Sequence, residues 1–294
     1  MTSKTPDSSV KANLLALGAI ALWGTLASLG VTLSHVPPFL LTGLALLVGS
    51  VVALPLSGFR LSGWRVSLST LALGVYGLFG FHFLLFIALR HAPPVQANLV
   101  NYLWPLLMVV LAPVFLPGLK LRPTHLAAAL LGFAGAAVVI LGGADASQTA
   151  SVGVSWREVL AYLPALASAF IWASYSLMTQ RVAAFPTAAI GGFALVSGLL
   201  SLLCHVWLEP ATDLSLRDGL LITIMGLGPM GAAFFLWDMA LKAGDARQIG
   251  ILSYLTPLLS TALLVALSGR AFTWTIALAA TMIIGAAVLG TRSR

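Results

Sequence analysis

Two stretches of twenty residues, ALRHAPPVQANLVNYLWPLL at 88–107 and ALKAGDARQIGILSYLTPLL at 240–259, align without a gap at an offset of 152. The identities are Ala88/Ala240, Leu89/Leu241, Gln96/Gln248, Tyr102/Tyr254, Leu103/Leu255, Pro105/Pro257, Leu106/Leu258 and Leu107/Leu259, and Arg90/Lys242 keeps a cation. Leucine matches arise readily between apolar segments, but matched Gln, Tyr and Pro do not. The chain therefore reads as two related halves. Weaker echoes agree: Trp23 and Trp172 sit early in each half, and Gly135-Ala136-Ala137-Val138 recurs as Gly285-Ala286-Ala287-Val288.

Composition sets the solvent. Of 294 residues 60% are hydrophobic and 8% charged, with a mean hydropathy of +1.02. A soluble domain carries roughly 25% charge, so this chain needs lipid around it. A net charge of +7 would suggest a nucleic-acid partner in a soluble protein. Here the cations lie in short breaks between apolar runs, where they orient membrane segments, and no nucleic acid is expected. The single cysteine, Cys204, excludes an internal disulfide and a cysteine metal cluster.

A spanning helix takes about 20 apolar residues. Such runs fall at 12–33, 38–57, 67–89, 95–117, 125–143, 159–180, 188–208, 218–241, 247–268 and 273–291, separated by Pro, Gly and Ser. The pattern predicts an all-α integral membrane protein of ten transmembrane helices. With ten spans both termini share a side. Lys4, Lys11, Arg60, Arg65, Lys120, Arg122, Arg181, Lys242, Arg247, Arg292 and Arg294 fall there, against Arg90, Arg157, Arg217 and Arg270 opposite. The imbalance predicts cytoplasmic termini. Five acids, Asp145, Glu158, Glu209, Asp213 and Asp218, fall outside.

Five spans per half is an odd number, so the second half enters from the opposite face. Two inverted five-helix repeats follow, at 12–143 and 159–291, with an extracytoplasmic linker at 144–158 and cytoplasmic tails at 1–11 and 292–294. Inverted repeats are a recurrent solution for alternating access in secondary transporters.

On these residues the chain resembles the drug/metabolite transporter superfamily, EamA-type. The likeness is carried by Trp23-Gly24, by Ala-Leu-Arg/Lys after the third and eighth spans, and by Tyr-Leu-x-Pro in the fourth and ninth, and it covers 12–291. Within the superfamily, Tyr-Leu-Trp-Pro and overall texture are most similar to the YddG-like exporters of aromatic and other neutral amino acids. The resemblance implies export of small organic metabolites across a bacterial inner membrane, without nucleotide hydrolysis. A monomer is expected, with a homodimer as the alternative.

Pro105 and Pro257 fall near the middle of the fourth and ninth spans. A proline there removes an N–H and frees the carbonyl four residues back, which points to Asn101 and Ser253. Polar stripes run beside them: Asn98, Asn101 and Tyr102 on one helix, Gly250, Ser253, Tyr254 and Thr261 on the other. They line a central cavity or glue helices together. Aromatic residues surround the region, namely Trp23, Tyr76, Phe79, Trp104, Trp172, Tyr175 and Trp237, able to wall a pocket for rings or hold an ammonium. Trp64, Trp156 and Trp274 sit at span edges and read as interfacial belts. A substrate amino acid would turn its carboxylate to neutral donors: the Asn101 amide, the Tyr102 and Tyr254 hydroxyls and the Trp104 indole. Its ammonium would take freed carbonyls or an aromatic face.

His82 and Asp238 are titratable and lie within spans. His82 reads either as a proton-handling group or as a neutral ring bonded to a backbone carbonyl. Asp238 would cost about 2.5–3.5 kcal/mol bare at a helix centre, and reads either as a coupling group or as the i,i+4 partner of Lys242. Glycines at 74, 77 and 80, and at 226, 228 and 231, permit close helix approach, and Pro229 adds a hinge.

Rival classes find little support. There is no His-Glu-x-x-His pair, no Gly-x-Gly-Asp motif and no Gly-x-Ser-x-Gly elbow. No lysine follows a glycine, which excludes a Walker A loop. A channel would show a filter motif or an acidic ring. No enzyme activity, cofactor or metal is expected, and the alternatives retained are export of other metabolites or drugs, or a channel.

Overall fold

Each apolar run folds as helix because a backbone in lipid must bond to itself. The structure, a computed structural model, describes residues 6–142, 160–268 and 273–292. The 144–158 linker lies outside them.

The first run forms α1 (Pro6–Gly24) and α2 (Leu26–Thr32), divided at Thr25. The second forms α3 (Pro38–Ser50) and α4 (Ala53–Leu56), starting on Pro37-Pro38. Proline suits that first turn because its missing N–H would be unpaired there anyway. After a short 3-10 turn at Leu61–Trp64, the third run forms α5 (Leu68–Val75), a π-turn (Tyr76–Gly80) and α6 (Phe81–His91). The fourth gives α7 (Pro94–Asn101) and α8 (Trp104–Phe115), the fifth α9 (Pro123–Gly142).

The second half repeats this plan. It contains α10 (Leu163–Met178) and α11 (Ala189–Leu208), then α12 (Leu216–Leu227), a π-turn (Gly228–Ala232) and α13 (Ala233–Ala243). It ends with α14 (Ala246–Leu252), α15 (Leu255–Ser268) and α16 (Trp274–Arg292). Local caps start several of these helices. Ser67 Oγ accepts from the Thr70 N–H at 3.2 Å, and Asp245 accepts from the Arg247 N–H at 2.8 Å. Ser215 and Asp218 form a reciprocal capping box at α12.

The repeat survives in the geometry. The two π-turns, and α6 and α13 after them, lie at the same offset of 152 as the aligned sequence. Packing is likewise conserved on exchange of the halves. Helix α1 packs on α13 and α10 on α6, while α8 packs on α10 and α15 on α1. The corresponding helices α3 and α11 pair with each other, as do α9 and α16. Both pairs are antiparallel. A Cβ on Gly43 would meet Leu202 and Gly198, whereas one on Gly191 would meet Ala53 and Ser50. Likewise Gly135 faces Ile283, Met282 and Ala279, and Gly285 faces Leu131.

Among the described residues, seven helical stretches are long and apolar enough to cross a membrane: 9–32, 38–56, 68–91, 96–115, 123–141, 189–208 and 216–243. Shorter apolar helices occupy 163–178 and 274–290. The ninth expected run is broken at Ser253–Tyr254 into a 7-residue and a 14-residue helix. The protein is multi-pass and all-helical among the described residues. Its outer faces carry bare hydrocarbon: Leu68, Val114 and Val206 are strongly exposed, as side chains solvated by lipid would be.

The helix breaks fall one turn earlier than the prolines suggest. Residues 102–103 interrupt the fourth run, and Pro105 sits in the first turn of α8. Proline is tolerated in a first turn, so the chain breaks before it rather than bending across it. The same occurs at Ser253–Tyr254 before Pro257.

Candidate functional site

Four tryptophans from four helices meet near the middle of the bundle. Trp23 ends α1, Trp104 starts α8, Trp172 lies within α10 and Trp237 within α13. All four are buried. Every one of the six pairings is in ring contact, with centroids 5.2–6.5 Å apart. Most pairs are tilted or edge-to-face, and Trp172 stacks on Trp237 with 27° between planes. These geometries match the quadrupole of the indole ring. Phe234 contacts Trp23 and Trp172, while Phe81 and Tyr175 extend the cluster from Trp172.

The π-turns feed this cluster from both sides. The Trp23 indole N–H donates to the Pro229 carbonyl at 3.1 Å. The Tyr76 hydroxyl is bonded to Ser174 Oγ at 2.8 Å. Thus the first helix of each half grips the π-turn of the other. The Trp237 indole N–H donates to Ser176 Oγ at 3.1 Å. Pro229, expected as a hinge, lies inside its π-turn and is buried.

Asn101 lies beside the quartet at the end of α7, with its side chain committed across the helix interface. Its Oδ1 accepts from Ser168 Oγ at 2.9 Å, and that hydroxyl also reaches the Ala165 carbonyl. Tyr102 occupies the break between α7 and α8 and is half-buried. Ser253 is fully buried and donates to the Ile249 carbonyl at 2.9 Å.

Three residues go elsewhere. Tyr254 packs with Phe133, Ala136 and Ile283, its ring so close to α9 that a Cβ on Gly132 would lie 2.4 Å from Cδ2. It is not brought to the tryptophans. Phe79 joins Phe83, and through it Phe39, in a separate aromatic string. Trp64, read as an interfacial residue, packs against Gly191 at the start of α11. Trp274 is 76% exposed, as a belt residue would be, and Trp156 lies outside the described residues.

His82 contacts a backbone carbonyl: Nδ1 lies 2.6 Å from Leu78 O. A carbonyl only accepts, so Nδ1 carries the proton. The ring edges onto Phe81, Phe86 and Phe234. Asp238 is paired. Its Oδ2 accepts from Lys242 Nζ at 2.6 Å and from Thr187 Oγ1 at 2.6 Å. Among the described residues its buried Oδ1 has no hydrogen-bond partner.

A cleft of about 270 Å³ opens between α8, α10 and α14, lined by Leu116, Leu119, Gln180 and Asp245. Burial pushes the Asp245 carboxyl pKa up, but the hydrogen bonds and charge of Arg247 prevail and hold it below the usual range.

Phe81, Ser168, Ser176, Phe185, Thr187 and Phe234 were not found by sequence reasoning. A signal existed for Phe234, which sits three residues before Trp237 and four before Asp238 on one helix face.

The EamA-like transporter family model matches twice, at residues 10–141 and 159–292. The chain is 43% identical to the aromatic amino acid exporter YddG of Ancylobacter novellus, over 95% of this chain and 96% of that one. It is 28% identical to the aromatic amino acid exporter YddG of Escherichia coli, over 95% and 96% of the two chains. A solved crystal structure of a protein 41% identical to this chain superposes with a TM-score of 0.87, covering 96% of this chain and 97% of that one.

Proposed function

Because this chain belongs to the EamA-like transporter family, we propose that it is a secondary exporter of aromatic and other neutral amino acids, working by alternating access. Its ten runs cross a bacterial inner membrane as two inverted five-helix repeats, 12–143 and 159–291. The 144–158 linker faces outward, and the tails 1–11 and 292–294 face the cytoplasm. The protein acts as a monomer.

The observation that carries this reading is the tryptophan quartet. It lies where helices of both halves cross, each half gripping the other's π-turn. Its electron-rich faces suit an aromatic ring or an ammonium group, and a substrate ring entering there replaces indole contacts with its own. Trp23, Tyr76, His82, Asn101, Tyr102, Trp104, Trp172 and Tyr175 are the proposed contacts. Tyr254, Ser253 and Phe79 act at one remove, through packing. His82 and Asp238 are the groups inside the spans that a proton-linked cycle would use. The names of the YddG relatives favour the same substrate class.

Purified protein in liposomes is expected to move tryptophan, phenylalanine and neutral aliphatic amino acids down their gradients, saturably and without nucleotide. An absolute requirement for ATP, or flux that does not saturate, would overturn the proposal. Repeating the panel with an imposed proton gradient, and with Asp238→Asn, reads out coupling.

Orientation has its own test. In a Cys204→Ala background, a cysteine at exposed Asp213 is expected to react with an impermeant thiol reagent in intact cells. Labelling only after lysis would reverse the topology.

A further inference from the structure

Arg90 and Lys242, the cations that the internal repeat aligns, sit in polar clusters at two ends of the bundle, Arg90 paired across helices and Lys242 with a residue of its own helix. Each is the penultimate residue of its helix, α6 or α13, downstream of a π-turn. Each lies over a phenylalanine ring, Arg90 over one in the first turn of α3 and Lys242 over one in the segment that leads into α11. The Arg90 guanidinium carbon is 5.4 Å from the Phe39 ring centre, and Lys242 Nζ is 4.1 Å from that of Phe185. Each also meets a buried carboxylate, Arg90 on Glu209 at 2.8 Å and Lys242 on Asp238 at 2.6 Å.

Both clusters also hold the entry to a helix, α3 at one end and α11 at the other. The Glu209 carboxylate accepts the N–H groups of Phe39 and Leu40 at the start of α3, at 2.9–3.1 Å, and takes His205 Nδ1 at 3.0 Å. Lys242 Nζ donates to the Phe185 carbonyl at 2.9 Å, and Thr187, just before α11, donates to Asp238. Glu209 follows the last residue of α11, whereas Thr187 precedes its first. A helix of 20 residues is about 30 Å long, so the clusters stand at opposite ends of the bundle, one membrane thickness apart.

We propose that these clusters are paired latches of the transport cycle: Arg90 on Glu209 and Phe39 holds one mouth shut, and the Lys242–Asp238 pair of α13, bound to Phe185 and Thr187, holds the other. This rests on the alternating-access reading above. Parting Arg90 from Glu209, or the Lys242–Asp238 pair from the Phe185 carbonyl and the Thr187 hydroxyl, is costly unless water replaces the lost partner. Water enters only the mouth that opens, so the contacts there can part while their counterparts, still dry, stay made. Both are made here. The two differ in completeness. All of the Glu209 contacts are filled, while Asp238 keeps one oxygen without a hydrogen-bond partner among the described residues.

Cysteine labelling in a Cys204→Ala background tests the pair. Reporters are Phe86→Cys, beside Phe39, and Thr179→Cys, at the opposite end of the bundle. Arg90→Gln is expected to raise labelling of Phe86→Cys about threefold and lower that of Thr179→Cys. Lys242→Gln is expected to do the reverse. Arg90→Lys and Lys242→Arg should return each pattern toward the parent. If Arg90→Gln is not monodisperse, Glu209→Gln reads the same latch. Labelling that rises at both reporters, or changes at neither, in folded protein overturns the proposal, since a merely structural role loosens both ends or none. The readout needs no substrate. Reciprocal labelling without amino-acid flux would sink the substrate assignment alone, and flux without reciprocity would sink the latches alone.

Discussion

Gly49→Val is expected to reduce the yield of monodisperse, membrane-inserted protein by at least about tenfold, while Gly30→Val leaves it unchanged. A Cβ on Gly49 would stand 2.6 Å from the Met230 carbonyl oxygen, 2.9 Å from that of Gly226 and 3.0 Å from Gly231 Cα. Those are backbone atoms of α12 and its π-turn, and they cannot swing aside as a flexible side chain would. Overpacking a core that can adjust costs about 1–3 kcal/mol, and here the helices themselves would have to separate. Small residues are what let membrane helices approach this closely. Around Gly30 nothing lies within 4 Å. Size-exclusion profiles of fluorescent fusions in detergent measure both. Equal yields would show that α3 and the π-turn do not need their close contact.

Trp104→Ala is expected to cut amino-acid flux several-fold, and Trp172→Ala as much. Trp104 touches three other indoles at 5.6–6.5 Å. Truncating a buried aromatic residue costs about 3–5 kcal/mol in stability, so flux must be normalised to folded protein. Trp104→Phe supplies the control that retains a ring, and it should recover flux for small neutral substrates before it does so for tryptophan. Asn101→Ala, which removes the acceptor for Ser168, should also lower flux several-fold. Trp274→Ala, on an exposed position, should do far less. Wild-type rates in Trp104→Ala and Asn101→Ala across the whole panel would reduce the quartet to packing.

The repeat was legible because Gln, Tyr and Pro matches are rare in apolar sequence, and the same offset reappears in the π-turns and helices. The runs were legible for an equally simple reason, since lipid demands long apolar helices. Which face of each helix turns inward was not. A helix apolar all round carries no periodic signal, so Ser168 and Phe234 could not be assigned to Asn101 and Trp23. Tyr254 misled because it mirrors Tyr102 in sequence, yet Gly132 opens a slot for it on α9. In the sequence the glycines around 77 and 228 read as packing residues. They also mark the π-turns, which a hydrophobic pattern cannot reveal because the widened turn changes no residue's polarity.

The π-turns carry a record of descent. A π-turn accommodates one residue more than the α-helical turn it replaces, and every side chain beyond it is rotated by about 100°. Both halves carry that extra residue at the same place, and both reach a cation ten residues beyond the end of the widened turn. The expansion therefore predates the event that doubled the gene. The chain that was doubled already possessed the irregularity.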